Sequence, residues 1–493
     1  MFTGKFTRIV ALFLITSTIG NFLGARVLGL YSLSNSIFQF LALFSVFGLY
    51  QTINRFAPAY IKTKNGAKLR ALTGTAIKYG LFSSILIATV VLALSKQIAN
   101  FFSAPELVIY LRILILALPA FTLTRILLGI STSHENVNLE SLIENIVNPV
   151  ISLIGIVLVI VLTIPDRYVM STLLIAHLFS LTAILIAKYF GKLKHLKLVP
   201  SFKKFDKEYL IYSRAVFLNT ILFFLIKYLD TLMLGYFDTE KNVGIYNAAL
   251  NVAIIPSIFL TSVNTIYYPT ITRLFHEKKD KMVEKLYEDV VRLLTQITIP
   301  LSVFTVIYSK ELLSLFGNEF EIPMVLMLIL VLGTISNLAS GPIGFTLNAL
   351  DKQKLISINS IFSISSAVVL DIILIPKIGI IGAAIGNATA MFVQNSLGVI
   401  ELYWIRKFTP YNTKIYATFI VSLAYGIAFY LIQRNFNLIG FVSTSRALLI
   451  MRLGAVLIVG YLVYLGLIIL LGLYSQEDKA LVGKLLRRLS FRG

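Results

Sequence analysis

Seven charged side chains stand out because they lie inside or at the ends of long apolar stretches, where a charge is costly and therefore a functional candidate. The cations are Arg26, Arg55, Arg125 and Lys227, and the carboxylates are Glu144, Asp230 and Asp371. Guanidinium and ammonium groups bind phosphate-type anions, and arginine does so through two parallel hydrogen bonds. These residue types predict a basic site for an anionic substrate. The carboxylates predict a second site, at which Na⁺ or H⁺ would couple to transport.

Lys227 and Arg125 lie deeper within their apolar stretches than the other cations, and two interpretations are open for each. Lys227 lies near the middle of its stretch, and Asp230 follows three residues later on the same helical face. Either the two side chains neutralise each other within packed protein, or Lys227 faces a cavity and meets an anion that Asp230 gates. Arg125 lies between the centre and the end of its stretch, so a cavity and a membrane interface are equally compatible with its position.

The remaining four candidates lie nearer the ends of their stretches. Arg26 ends the first stretch and Arg55 ends the second. Glu144 and Asp371 also lie near stretch ends, so an ordinary interfacial role competes with ion coupling. A change in ion occupancy between two conformations would be needed for coupling.

The elements that must position these residues are membrane-spanning helices. The chain has 493 residues, of which 57% are hydrophobic and only 14% charged, whereas soluble proteins are about 25% charged. Apolar runs of about 20 residues recur, and each is long enough to cross a bilayer as a helix. We therefore predict an all-α polytopic membrane protein. Its fourteen predicted spans are 6–28, 33–54, 71–95, 107–131, 141–163, 168–188, 209–235, 243–270, 287–308, 322–348, 355–375, 380–402, 414–433 and 446–474.

Basic residues alternate between the connecting loops and predict the orientation of the chain. With fourteen spans, one set of loops holds 29 lysines and arginines and the other set holds 8. Because cytoplasmic loops are enriched in these residues, both termini are predicted to be cytoplasmic. The same distribution explains the net charge of +21 without nucleic acid as a partner. The absence of cysteine excludes disulfides, thiolate metal sites and a cysteine nucleophile.

A similarity between the two halves predicts the domain organisation. The segment RVLGLYSLSNSIF in the first half resembles LMLGYFDTEKNVGIYNAA in the second, which predicts parallel repeats of six helices. The predicted parts are an N-lobe at 1–190, a basic cytoplasmic linker at 191–208, a C-lobe at 209–405, two further helices at 406–475 and an amphipathic basic tail at 476–493. A substrate would bind between such repeats, near the membrane midplane.

Prolines and small residues predict where the helices bend or pack closely. Prolines inside predicted spans would produce kinks. They are Pro119, Pro149, Pro256, Pro300 and Pro342. Gly382 and Gly386 form a small-xxx-small pair, which is typical of two helices in close contact.

The order of short motifs resembles the polysaccharide transporter family, a branch of the multidrug/oligosaccharidyl-lipid/polysaccharide exporter superfamily. The motifs are GARVLG, FGLYQTINRFAPAY, DTLMLG, VGIYNAA, YPTITRLF, SKELLSLFG, LNALDKQK and IPKIGIIGAAIGNA, spread over almost the whole chain. This resemblance implies two six-helix lobes around a central cavity, followed by two C-terminal helices. The same resemblance implies that Arg26 and Arg55 lie beside this cavity, and we expect Arg26, Arg125 and Lys227 to border it together. It also implies translocation of polyprenyl-(pyro)phosphate-linked oligosaccharide to the outer leaflet, for assembly of a cell-surface polysaccharide or a protein-linked glycan.

Three alternatives to such a flippase remain at this stage. An ion-coupled multidrug antiporter of the same superfamily would need an acidic cavity, whereas basic groups dominate here. A membrane glycosyltransferase or polymerase would need a large outer loop with acidic metal ligands, and the chain has no Asp-x-Asp pair. A scramblase or an assembly scaffold is the third. We expect no enzymatic activity and no cofactor beyond the coupling ion. The expected partners are membrane lipids, the lipid-linked glycan, and a polysaccharide polymerase or glycosyltransferases in the plasma membrane.

Overall fold

The computed structural model describes residues 2–190, 206–436 and 446–474, and every regular element in those ranges is helical. The chain divides into two compact units. Unit 1 comprises Met1–Ala248 and the short segment Phe316–Glu319, and unit 2 comprises Ala249–Leu315 and Phe320–Gly493. The predicted basic linker, apart from its last three residues, and the predicted amphipathic tail lie outside the described residues. The predicted domain boundaries remain predictions.

Unit 1 is built from ten helices and the first part of an eleventh. They are α1 (Phe2–Leu23), α2 (Ala25–Val46), α3 (Leu49–Lys62), α4 (Gly66–Phe101), α5 (Leu107–Ile115), α6 (Leu118–Ser133), α7 (Val137–Leu142), α8 (Asn148–Val161), α9 (Ser171–Phe190), α10 (Lys207–Phe237) and α11 (Glu240–Ala253). A π-helical turn, Ile143–Val147, joins α7 to α8 without a loop.

Unit 2 continues in the same all-helical manner. Its helices are α12 (Ser257–His276), α13 (Asp280–Ile307), α14 (Ser309–Ser314), α15 (Met324–Ser340), α16 (Ile343–Ala349), α17 (Gln353–Ile378), α18 (Ile380–Arg406), α19 (Thr413–Phe436) and α20 (Arg446–Leu470). The buried core of this unit includes Tyr267, Tyr287 and Leu402.

The helices confirm the predicted fold class. Within the described ranges, ten helical stretches are long and apolar enough to cross a membrane, or twelve if each of two bent pairs forms one span. Helices α1 and α18 occupy the positions of the first and twelfth predicted spans. The arrangement is therefore consistent with fourteen spans, and the protein is an all-α polytopic membrane protein.

The first two predicted spans have wrong ends. The prediction placed a loop at 29–32, but α1 ends at Leu23 and α2 begins at Ala25. The turn occurs at Gly24, whose φ of 91° is a conformation that glycine adopts at little cost. Arg26 therefore begins α2 instead of ending the first helix. Arg55 likewise lies within α3, which continues to Lys62, and does not end the second helix.

Two glycines allow α2 and α11 to touch through their backbones. A Cβ atom on Gly29 would overlap the carbonyl oxygen of Glu240, and one on Gly244 would overlap the carbonyl oxygen of Ala25. The relation is reciprocal, because each glycine also faces the backbone nitrogen of the other. Small residues permit this kind of close helix packing in membranes.

The long helix formed by α2 and α3 is broken at Phe47 and Gly48, which both have positive φ. Helix α10 packs directly on this break. The Ser213 hydroxyl donates a hydrogen bond to the Phe47 carbonyl oxygen. A Cβ atom on Gly48 would lie 2.7 Å from the Ser213 carbonyl oxygen. The break is thus stabilised by a neighbouring helix, as expected for irregular backbone within a membrane protein.

Three of the five predicted proline kinks coincide with breaks between helices. Pro119 follows the break between α5 and α6, whose axes differ by 42°. Pro256 precedes α12, and Pro342 precedes α16. Pro149 lies in the first turn of α8, directly after the π-helical turn. Pro300 lies inside α13, which continues without a break.

The predicted close packing at Gly382 and Gly386 is confirmed. A Cβ atom on Gly382 would lie 2.5 Å from the Leu374 carbonyl carbon, and one on Gly386 would overlap the Asp371 carboxylate. Helices α17 and α18 therefore pack in contact along this pair.

Replacing Gly386 with leucine should separate α17 from α18. Overpacking of a tight contact costs about 1–3 kcal/mol, so we expect a clearly lower melting temperature in detergent solution. Gly466→Leu is the matched control, because no atom lies within 4 Å of a Cβ atom at that position. Equal melting temperatures for the two variants would contradict the packing described here.

Candidate functional site

An ion pair between α6 and the π-helical turn lies at the centre of the candidate site in unit 1. Arg125 Nη1 donates to Glu144 Oε1. Both side chains are largely covered, with 35% and 22% of their surfaces exposed. The guanidinium also lies over two aromatic rings, 5.6 Å from Phe121 and 5.9 Å from Tyr50. The structure thus brings together two residues that the sequence prediction assigned to different roles.

A second carboxylate, Glu140, extends this pair. Its Oε1 atom accepts a hydrogen bond of 2.7 Å from the Tyr50 hydroxyl of α3. Glu140 interacts electrostatically with both Glu144 and Arg125. Two carboxylates therefore share a single arginine, which gives the cluster an excess negative charge when both are ionised. Such an excess is costly away from water, so a cation or a proton would stabilise it.

Neutral polar groups surround the charged cluster. Thr132 of α6 donates a hydrogen bond to the Asn54 side chain. On the other side, Asn148 of α8 lies 3.1 Å from His177 Nδ1 and 3.3 Å from the Ser180 hydroxyl. The His177 ring stacks on Phe38. These contacts hold α3, α6, α8 and α9 together around the Arg125–Glu144 pair.

The π-helical turn explains how one helix presents three polar side chains to this cluster. Glu140, Glu144 and Asn148 recur every four residues across the Ile143–Val147 turn. Single π turns inside α-helices occur frequently at functional sites. The sequence prediction missed Glu140 and Asn148, although their four-residue spacing was visible in the sequence.

Arg26 lies away from this cluster, at the start of α2. It forms an ion pair of 3.2 Å with Glu106, and both side chains are about half exposed. Exposed pairs contribute only about 0–1 kcal/mol, so Arg26 retains freedom to exchange Glu106 for another anion. Next to it, Glu319 Oε2 accepts a hydrogen bond of 3.1 Å from the backbone N–H of Ala25.

Glu319 is expected to stabilise the start of α2, because a carboxylate satisfies a free N–H there and interacts favourably with the helix dipole. Glu319→Ala should cost about 1 kcal/mol and lower the melting temperature slightly. Glu321→Ala is the matched control, because Glu321 is likewise exposed and the Ala25 N–H donates to Glu319 instead. Equal melting temperatures for the Glu319→Ala and Glu321→Ala proteins would disprove the capping role.

Arg55 and Lys227 are both exposed in unit 1. The Arg55 guanidinium lies 5.1 Å from the centre of the Tyr212 ring. The Lys227 ammonium lies 4.9 Å from the ring of Tyr228. Cation–π contacts of this kind are weak at exposed positions, at about 0.5–1 kcal/mol. Neither cation is covered by neighbouring protein.

Asp230 has surroundings different from those of Lys227. Its side chain is buried, and its Oδ2 atom accepts a hydrogen bond of 2.9 Å from the Tyr246 hydroxyl of α11. The neighbouring Thr231 hydroxyl lies 3.3 Å from the Asn247 side chain. These contacts attach α10 to α11 and place Asp230 within packed protein.

Asp371 belongs to unit 2 and is completely buried. It lies beside Gly386, in the contact between α17 and α18. A carboxylate at such a position is expensive in its ionised form unless a cation or hydrogen bonds compensate it. The other six predicted residues all belong to unit 1. Of the seven predicted residues, the structure brings Arg125 and Glu144 into direct contact. The prediction that the cations border one cavity remains a prediction.

Comparison with protein families gives a match that covers more than half of the chain. A family model described as "Polysaccharide biosynthesis protein" matches residues 22–322. That range includes six of the seven predicted residues.

Two archaeal proteins are similar in sequence. The probable low-salt glycan biosynthesis flippase Agl15 of Haloferax volcanii is 26% identical over 199 residues, which is 40% of this chain and 42% of Agl15. The chain thus matches less than half the length of that relative. An uncharacterized membrane protein of Methanocaldococcus jannaschii, MJ1068, is 25% identical over 407 residues, which is 77% of each chain.

Among solved structures, the lipid II flippase MurJ in an inward closed conformation superposes with a TM-score of 0.74. The alignment covers 94% of this chain and 96% of MurJ, at 17% sequence identity. At that identity the likeness concerns the fold alone. It extends over nearly the entire chain.

Proposed function

Because the chain belongs to the polysaccharide biosynthesis protein family, we propose that it is a flippase for polyprenyl-(pyro)phosphate-linked oligosaccharide. It moves this lipid from the cytoplasmic to the outer leaflet, for assembly of a cell-surface polysaccharide or a protein-linked glycan. The family match over residues 22–322 carries this proposal. The similarity to a probable glycan biosynthesis flippase supports it.

The cations of unit 1 have the chemistry that such a substrate needs. A diphosphate presents clustered oxygen atoms, which arginine binds through two hydrogen bonds. Arg26, Arg55 and Lys227 are accessible, and Arg125 is tied to Glu144. We assign the first three to capture of the phosphate group. The lipid tail stays in the bilayer while the protein alternates between two conformations.

Ion coupling is a further part of the proposal. Asp230 and Asp371 are buried carboxylates, and Glu144 shares Arg125 with Glu140. Na⁺ or H⁺ binding at any of these groups would offset the cost of a buried negative charge. Coupling requires that the ion bind one conformation more tightly than the other.

The proposed setting is the plasma membrane, with both termini in the cytoplasm. Excess lysine and arginine in one set of loops supports this orientation. The protein moves its substrate without a chemical step. Glycosyltransferases supply the lipid-linked glycan, and a polymerase or a transferase uses it after translocation.

Native mass spectrometry of the gently purified protein tests the proposal. We expect a co-purifying polyprenyl-phosphate glycan, and we expect the triple variant Arg26→Gln/Arg55→Gln/Lys227→Gln to lose it. Bulk phospholipid alone, together with binding of cationic dyes, would instead favour the multidrug antiporter.

A further inference from the structure

A small pocket opens beside Arg125 in unit 1, between α2, α3, α6 and α10. Its volume is about 160 Å³. The side chains that could contact a ligand there are Gln39, Tyr50, Gln51, Phe121, Arg125 and Phe217. Ligand sites typically combine apolar walls with a few placed polar groups, and this pocket has that composition.

Two amides face the pocket without a hydrogen-bonding partner among the described residues. They are Gln39 of α2 and Gln51 of α3, and each is half-buried. A glutamine side chain can donate two hydrogen bonds and accept two. Both amides keep partial exposure, so these donors and acceptors are available to a ligand rich in hydroxyl groups.

Aromatic rings form the walls. Phe217 packs against Phe47 with ring centres 4.7 Å apart. Tyr50 is fixed by its hydrogen bond to Glu140. Phe121 lies next to the Arg125 guanidinium. These rings offer flat apolar faces of the size of a single six-membered ring, and they are held in place before any ligand arrives.

The helix break at Phe47 and Gly48 lies at the pocket, and Gly48 lines it. Broken membrane helices commonly form substrate sites in transporters, because they allow backbone to line a cavity. The Ser213 contact described above keeps this break in place. The pocket is therefore built on a discontinuous helix and not on an accidental gap between regular ones.

We infer that this pocket binds one sugar ring of the transported glycan. This inference rests on the proposed flippase function. The apolar face of a sugar ring stacks on the aromatic walls, while its hydroxyl groups bond to Gln39 and Gln51. The charge of Arg125 is compensated by Glu144, so the pocket is suited to a polar ring more than to a bare phosphate.

Binding of four synthetic probes to the purified full-length protein tests this inference. One probe is farnesyl diphosphate, and the other three carry a single glucose, N-acetylglucosamine or glucuronic acid on the diphosphate. We expect at least one glycosylated probe to bind about tenfold more tightly than farnesyl diphosphate, as one or two hydrogen bonds would produce. The double variant Gln39→Ala/Gln51→Ala should lose that advantage and bind farnesyl diphosphate normally.

Gln353→Ala is the matched control, because Gln353 is an exposed glutamine outside the pocket. If the double variant does not fold, the single variants Gln39→Asn and Gln51→Asn shorten each amide by one methylene and should each reduce the advantage. Equal binding of all four probes by the unaltered protein would overturn the sugar pocket but not the proposed function. The same conclusion would follow if the variants still bound a glycosylated probe more tightly than farnesyl diphosphate. Failure of the unaltered protein to bind any probe would overturn the proposed function, and the pocket assignment with it.

Discussion

Alanine at Gly29 or at Gly244 should prevent the protein from folding stably. Each added methyl group would overlap backbone of the opposite helix, and backbone cannot move aside as a flexible side chain can. We expect a loss of more than about 3 kcal/mol, at the upper end of the range for overpacking. Fluorescence-detected size-exclusion chromatography of the solubilised protein would then show aggregate or no protein.

Gly454→Ala is the control for this prediction. That glycine lies inside α20, and no atom lies within 4 Å of a Cβ atom there. Alanine favours a helix over glycine by about 1 kcal/mol, so this variant should be as stable as the unaltered protein or more so. A monodisperse Gly29→Ala or Gly244→Ala protein with a normal melting temperature would show that α2 and α11 are not in backbone contact.

Replacing Arg125 with glutamine should reduce transport about a hundredfold. The change leaves Glu140 and Glu144 without their shared cation and removes a positive charge next to the proposed sugar pocket. Because both partners of the pair are partly exposed, we expect a stability loss of only about 1–2 kcal/mol, below the value for a fully buried pair. Transport would be measured in vesicles, and stability by thermal melting.

A double variant separates the two effects. Arg125→Gln/Glu144→Gln removes both charges of the pair, so most of the stability should return. If Arg125 also acts on the substrate, transport should stay low in this variant. Recovery of transport together with stability would show that Arg125 only balances Glu144.

The sequence was sufficient to predict the all-helical membrane fold, because apolar length alone decides it. It was less reliable for helix ends. Gly24 and Gly29 both follow apolar residues in the first spans, and nothing local shows which one turns the chain. Gly29 lies within α2, and its missing side chain makes room for α11. That contact joins residues more than 200 positions apart.

The candidate site was also predicted only in part, because its contacts join residues that are far apart in the sequence. Arg125 and Glu144 could each be identified as costly charges within apolar stretches, but their pairing depends on how α6 packs against the π-helical turn. The role of Tyr50 depends on its hydrogen bond to Glu140, a residue 90 positions away, which no sequence pattern predicts. Gln39 and Gln51 carry no charge and belong to no motif, so only the pocket reveals them.

The most direct test of the account is leaflet exchange in proteoliposomes. The protein would be reconstituted with a fluorescent polyprenyl-diphosphate glycan, and a membrane-impermeant glycosidase would be added outside. The proposed flippase function predicts that glycan from the inner leaflet becomes cleavable much faster than in protein-free vesicles, and that Arg125→Gln slows this exchange. Exchange no faster than in protein-free vesicles, with transport of a cationic dye in its place, would contradict the account.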